Sequence, residues 1–284
     1  MRFGSKLCVV CVFFSAQTLS AQSQPGLSFD VYTRNGQGDT ATNVVHMLAT
    51  ANAVRMEFEK RPTSGQFRAL PLGDHGVLIL RGGGAEFIVL DPAKKEYVSI
   101  KPLEMMEGAR KMMESMGGSM TFDSAASTFQ VDSLGPGPTI DGHNTLRYRL
   151  VGHTKIHVVM MGRDQTVESQ VVSETQNAVD LAEYATLMGA SGGARELVRS
   201  MSTTIGLPKN FVDQASAAAR KARGFPLHSE RQTTAITPNG TLTRSDTSDV
   251  KNVRRASIPD STFAVPADYK QTSFPGLESP RLSP

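Results

Sequence analysis

The chain has 284 residues, of which 30 are Lys or Arg and 27 are Asp or Glu, for a formal net charge of +3. The two signs are interspersed, with short basic clusters at 220–223 and 254–255. This distribution lacks the basic stripe of a nucleic-acid-binding protein. A chain of this length is long enough to bury a hydrophobic core.

Residues 1–22 predict a cleavable signal peptide. Two basic residues precede Leu7–Phe14, an apolar run far shorter than the ~20 residues that span a bilayer. A stretch of small and polar residues follows, and we expect cleavage after Ala21 or Gln22. An N-terminal membrane anchor is the alternative, which the short run disfavours. We therefore expect a periplasmic or secreted protein.

Both cysteines, Cys8 and Cys11, lie in this leader. The mature chain then has no disulfide, no thiolate metal site and no cysteine nucleophile. Nothing after residue 22 predicts a transmembrane segment. We expect one folded domain over 23–271, followed by a disordered, Pro- and Ser-rich tail at 272–284.

The chain from Leu27 to Ile100 predicts antiparallel strands. Short apolar runs, among them Val77–Leu80 and Phe87–Leu90, alternate with turns at Gly82–Gly84 and Asp91–Lys94. Strands at this spacing favour a meander over βαβ units.

The period becomes helical between Leu103 and Gly117. Glu107 and Lys111 form a favourable i, i+4 pair, and Gly117 and Gly118 end the segment. Its apolar face could pack on a sheet, line a pocket for apolar ligands or, through thioether sulfurs, bind Cu(I). That face consists of Met105, Met106, Ala109, Met112, Met113 and Met116.

Further strands are predicted at 120–131 and 146–150, with a hairpin at 154–161 and 166–173. A helical insert over about 176–222 is expected to hold three helices. Leu181, Tyr184 and Met188 mark the first, and the third begins at Pro208 and stops at Gly224. Two polar strands at 226–236 and 241–253 follow, joined by Asn239-Gly240, a strong hairpin signal.

Metal and phosphate sites are disfavoured by local structure. His153 and His157 have the i, i+4 spacing of a zinc pair on a helix, but their surroundings alternate as in a strand. Four strand residues span roughly 13 Å, too far for one ion. Arg81–Glu86 lacks the Gly-Lys-Ser/Thr ending of a phosphate loop and predicts a hairpin. No metal or cofactor is expected.

Catalytic signals are weak. The chain has no Gly-x-Ser-x-Gly motif. His75 and His143 lie in predicted turns without a partner nearby in sequence. We therefore expect no enzymatic activity, and an exported hydrolase stays a distant alternative.

Three stretches together resemble an uncharacterised family of exported bacterial proteins. They are Phe87–Tyr97, Thr139–Tyr148, and Gly224–Glu230 with Ile258–Tyr269 near the end. Such proteins look related in fold to the lipoprotein carriers of the LolA/LppX type. The resemblance implies an α+β fold, a curved antiparallel half-barrel with helices packed on its concave side. Similar proteins often have Cys and Trp where this chain has Leu146 and Tyr148, so no cysteine-dependent role carries over.

The resemblance favours a non-enzymatic binding protein with an apolar cavity for a lipid or a lipoprotein acyl chain. An envelope sensor that binds another protein is the alternative. The predicted lining residues of the cavity are Met106, Met112, Met113, Leu181, Tyr184 and Met188.

Overall fold

The computed structural model describes residues 23–36, 43–62, 70–160, 162–184 and 209–273. The predicted leader, residues 185–208 of the predicted insert and the tail from 274 lie outside these ranges. The described strands are β1 (Ser23–Asn35), β2 (Asn43–Thr50), β3 (Val54–Phe58), β4 (Val77–Arg81), β5 (Glu86–Asp91), β6 (Glu96–Ile100), β7 (Ser119–Phe122), β8 (Thr128–Pro136), β9 (Thr145–Met160), β10 (Arg163–Ala178), β11 (Phe225–Thr237), β12 (Gly240–Pro259) and β13 (Lys270–Gln271). The described helices are α1 (Pro102–Ser115) and α2 (Lys209–Lys221), with 3-10 turns at Gly82–Gly84, Val179–Tyr184 and Asp260–Phe263.

The strands form one open, curved sheet in the order β13-β6-β5-β4-β3-β2-β1-β12-β11-β10-β9-β7, and β8 also pairs with β9. The pairs are antiparallel except β13 with β6. Because β1 pairs with both β2 and β12, it joins an N-terminal meander to the long C-terminal hairpins. The predicted α+β half-barrel architecture is confirmed.

Strands β4 and β5 are buried on both faces, which explains their continuous apolar runs. Ile79 and Ile88 lie in a cluster with Phe263 of the last 3-10 turn. Leu78 and Val89, one position away, lie in the main core cluster on the other face.

The main core cluster covers one face of the sheet from β6 to β11. Phe29 of β1 meets Phe225 of β11 edge to face, with ring centroids 5.3 Å apart. Leu181, in the 3-10 turn after β10, is 1% exposed in the same cluster. The turn therefore caps the sheet by burying an apolar side chain.

Helix α1 begins and ends close to its predicted limits, but its methionines are divided between two faces. Leu103, Met106 and Met113 are half-buried. Met105, Met112 and Met116 are 42%, 64% and 41% exposed. Core packing therefore does not account for the exposed stripe formed by Met105, Met112 and Met116.

The described part of the predicted insert differs from the expectation. Strand β10 continues to Ala178, so 176–178 are extended, and Val179–Tyr184 forms 3-10 turns where an α-helix was predicted. The predicted third helix is α2. Its Phe211 ring lies 4.8 Å from Phe122 and 5.1 Å from Phe129, which fixes the helix to β7 and β8.

The C-terminal hairpin is present, but its turn is shifted by one residue from the Asn-Gly expectation. Thr237 pairs with Gly240, so Pro238 and Asn239 occupy the turn. Proline has the φ that the first central position of a type I turn requires. Thr272, in the predicted tail, still donates its backbone N–H to Tyr97 O at 2.8 Å.

Candidate functional site

The predicted lining residues are not gathered in one place. Leu181 is buried in the main core cluster and Tyr184 packs against it, and that cluster does not contain the α1 methionines. Met106 and Met113 are half-buried on α1, and Met112 points outward. Met188 lies outside the described residues. An apolar cavity shared by these residues stays a prediction.

Two adjoining clefts instead lie over strands β10, β11 and β12, with volumes of about 390 and 330 Å3. Gln176 and His228 line both. Ligand pockets commonly start at about 300 Å3, so each could hold a small molecule. The first cleft is also lined by Ile140, Asp141, Leu227, Asp249, Val250, Lys251 and Asn252, and the second by Pro138, Arg147, Glu174, Thr175 and Glu230.

Sheet register brings these polar side chains together. Gln176 of β10 is directly opposite His228 of β11, and His228 is opposite Asp249 of β12. Two positions along, Glu174 is opposite Glu230. Because every second residue shares a face, the four side chains of β10 and β11 form one patch.

His228 is held between two carboxylates. Its Nδ1 lies 2.7 Å from Asp249 Oδ1, and its Nε2 lies 3.4 Å from Glu230 Oε1. Asp249 also accepts a 2.8 Å hydrogen bond from Arg34. These contacts fix the imidazole ring at the boundary of the two clefts.

Gln176 carries an unusual polar atom. Its Oε1 is buried and has no hydrogen-bond partner. Asn177 Oδ1 is also buried without one, although Asn177 Nδ2 donates to Arg223 O at 3.1 Å. An unpaired buried acceptor costs about 1–3 kcal/mol. Gln176, which lines both clefts, therefore holds an acceptor that is buried and unpaired.

The pair formed by Glu174 and Glu230 is electrostatically unfavourable. Like charges directly opposite across strands repel. The cations nearest Glu174 are distant: Arg147 Nη2 lies 3.5 Å and Arg149 Nε 4.0 Å from its carboxylate. Glu174 therefore keeps acceptor capacity.

A tight turn at 140–143 borders the clefts. Asp141 and Gly142 have φ of 49° and 82°, and Ile140 and His143 exchange backbone hydrogen bonds. This is the two-residue hairpin geometry that Asp-Gly favours. His143 Nδ1 lies 2.7 Å from Asp180 Oδ2, which ties the turn to the 3-10 segment.

The histidine contacts give little support to a Ser-His-acid arrangement. The partners found for His143 and His46 are carboxylates, Asp180 and Asp30. His153 and His157 lie on β9 as predicted. His153 contacts Ala126 O at 2.8 Å and Glu168 Oε2 at 3.7 Å, and His157 contacts Thr166 Oγ1 at 3.2 Å. Within the described ranges, no group of three or more His, Cys, Asp or Glu side chains could hold a metal ion. The expectation of no enzymatic activity stays a prediction.

Sequence reasoning missed the cleft residues because they are distant in the chain. His228 and Glu230 alternate within the predicted strand 226–236, but Glu174 and Gln176 lie beyond the predicted end of their strand at residue 173, on the part of β10 that the sequence did not predict. Their juxtaposition depends on a register that local patterns do not give.

No known protein family matches the chain, and no curated protein matches its sequence. Among solved structures, it is similar to a LolA superfamily protein from Nitrosomonas europaea. The identity is 8% and the TM-score 0.25, over 86% of this chain and 91% of that one. It is also similar to PNGF-II, with 10% identity and a TM-score of 0.31, over 88% of this chain but only 31% of that one. Neither similarity locates a site. Among the described helices, none is long and apolar enough to cross a membrane.

Proposed function

We propose that the protein is an exported, non-enzymatic binding protein of the lipoprotein-carrier type, which holds an acyl chain of a lipid or lipoprotein. The observation that carries the proposal is the exposed stripe of Met105, Met112 and Met116 on α1. An apolar stripe on a helix surface is a candidate site for contact with another apolar molecule. Methionine side chains are flexible and polarisable, which suits acyl chains of varied shape.

The charges of α1 support an apolar contact. Its acidic residues pair with bases of the same segment: Glu107 with Lys111 at 2.8 Å, and Glu104 with Lys101 at 2.8 Å. Arg110 pairs with Glu114. Because these charges are matched within the segment, the helix does not need a charged partner. Burial of apolar area, at roughly 25 cal/mol per Å2, would supply the affinity.

The test is native mass spectrometry of the purified protein, with organic extraction of whatever co-purifies. We expect bound lipid in the wild type and little in Met112→Lys. Leu242→Lys is the matched control, because Leu242 is 65% exposed against 64% for Met112 but lies on β12. If no lipid co-purifies and none binds to refolded protein, the carrier proposal fails. A stoichiometric protein partner without lipid would favour the sensor alternative.

Export is part of the proposal and has its own test. Expression in a Gram-negative host and fractionation should place the protein in the periplasm. N-terminal sequencing should then begin at Gln22 or Ser23. A full-length chain that starts at Met1 in the membrane fraction would contradict cleavage.

A further inference from the structure

We propose that the polar clefts around Gln176 and His228 bind a primary ammonium group. The inference is independent of the acyl-chain proposal, because the clefts are built from β9–β12 and the 138–141 segment and do not involve α1. The inference rests on acceptor atoms of the lining side chains that have no hydrogen-bond donor, or only a distant one.

Acceptor groups in the clefts have spare capacity. Gln176 Oε1 is buried without a partner. The Glu174 carboxylate has contacts only at 3.5 and 4.0 Å among the ion pairs found, and that of Glu230 has one at 3.4 Å. Good N–H···O bonds are 2.7–3.2 Å long. A ligand with several N–H donors would fill these sites.

The basic side chains of the clefts already have partners. Arg147 faces Glu174, and His228 lies between Asp249 and Glu230. Lys251 Nζ lies over the Tyr32 ring, 5.0 Å from its centre. An anionic ligand would have to displace these partners, whereas a cationic ligand would not.

A positive charge would also relieve the repulsion between Glu174 and Glu230. These carboxylates are 42% and 67% exposed and lie at the mouth of the second cleft. Gln176 lies two residues from Glu174 on the same face. An ammonium group between them could donate to both carboxylates, and rotation of the buried Gln176 amide toward the cleft would offer its oxygen as the third acceptor. Its three donors match these acceptors, which a quaternary ammonium cannot do because it has no N–H.

The test is calorimetric titration of the full-length protein with ethanolamine and putrescine, and with choline as the probe that has charge but no donor. We expect millimolar binding of the primary amines and at least ~10-fold weaker binding of choline, equivalent to about 1.4 kcal/mol. Equal binding of choline and ethanolamine, or no binding of either primary amine, would overturn the proposal.

Variants locate the site. Gln176→Met removes the unpaired acceptor and should weaken ethanolamine binding by roughly tenfold or more, without loss of the folded circular-dichroism spectrum. Glu230→Gln should have a similar effect on binding. Glu168→Gln is the control on β10, since Glu168 pairs with Lys155 at 3.2 Å and does not line either cleft. If Gln176→Met and Glu230→Gln bind ethanolamine like the wild type, the site is not here.

The ammonium group could come from a free amine or from a phospholipid headgroup. Short-chain phosphatidylethanolamine, titrated beside ethanolamine, separates the two. Binding of this lipid at least as tight as that of ethanolamine, with no binding of the matching phosphatidylcholine, supports a headgroup site. Binding of ethanolamine alone supports a free-amine site.

Discussion

The side chain of Asn252 donates a 2.7 Å hydrogen bond from Nδ2 to Oδ2 of Asp30, on the neighbouring strand β1. Asn252 lies in a β-bulge, where the β1–β12 register shifts between Ser28 and Asp30. Its φ is 56°, in the left-handed region that asparagine tolerates better than most residues. Asn252, which lines the first cleft, thus allows the bulge and also pairs with the Asp30 carboxylate.

Replacement of Asn252 should separate the contribution of its hydrogen bond from that of its left-handed backbone conformation. Asn252→Gly keeps the backbone conformation but loses the hydrogen bond, and should cost about 1 kcal/mol of unfolding free energy. Asn252→Ala also introduces left-handed strain, and should cost about 1 kcal/mol more. Urea denaturation of both variants measures the difference. Equal stabilities would show that strain at this bulge is absent.

Asp30 should make the stability of the fold sensitive to acid. Burial raises the pKa of its carboxyl, but hydrogen bonds from Asn252 and His46, with the charges of His46 and Arg254, outweigh this effect. The pKa therefore lies below the ordinary value of 3.8. A carboxyl with a lowered pKa contributes stability that is complete above its unfolded-state pKa and is lost as the pH falls through its folded-state pKa.

We therefore expect Asp30→Asn to reduce the unfolding free energy at neutral pH and to reduce it less below about pH 4. The measurement is denaturant unfolding of both proteins across this pH range. If the unfolding free energies of the wild type and the variant changed in parallel with pH, Asp30 would not be a source of the acid sensitivity.

Gly224, between α2 and β11, should be intolerant of any side chain. Its φ is 91°, and an added Cβ would lie 2.6 Å from Ala178 O. Gly142 is the matched control, because its φ is 82° but an added Cβ would meet nothing within 4 Å. We expect Gly142→Ala to cost about 1 kcal/mol through strain alone, and Gly224→Ala to cost about 2 kcal/mol more through the clash. Thermal unfolding of both variants gives the comparison.

The sequence predicts the strands and helices of this fold better than it predicts how they pack and pair with one another. The runs at Val77–Leu80 and Phe87–Leu90 identify strands because every residue in them is apolar, whichever face it occupies. Helix α1 is identified by its period. Which row of methionines faces the rest of the protein depends on how the helix docks. The helical period alone therefore could not predict that Met112 is exposed.

The candidate cleft could not be predicted for a related reason. Gln176 and His228 become neighbours through the pairing of β10 with β11, and a bulge between Gln176 and Asn177 sets the local register. A one-residue slip would place the side chains of one strand on the opposite face. The sequence places His228 on a predicted strand but Gln176 in the predicted helical insert, so it does not show that the two residues meet.

The three-ring contact of Phe211 with Phe122 and Phe129 should hold one end of α2 to the sheet. Phe211→Ala removes both aromatic contacts of this half-buried ring, each worth about 0.5–1.5 kcal/mol beyond area burial. Further along the helix, Ala218 is 4% exposed and packs with Val131 and Tyr148. We therefore expect faster amide hydrogen exchange at the start of α2 in the variant, with little change around Ala218. Phe211→Leu should keep most of the protection, and uniform loss along α2 in both variants would show that the rings do not act as a local anchor.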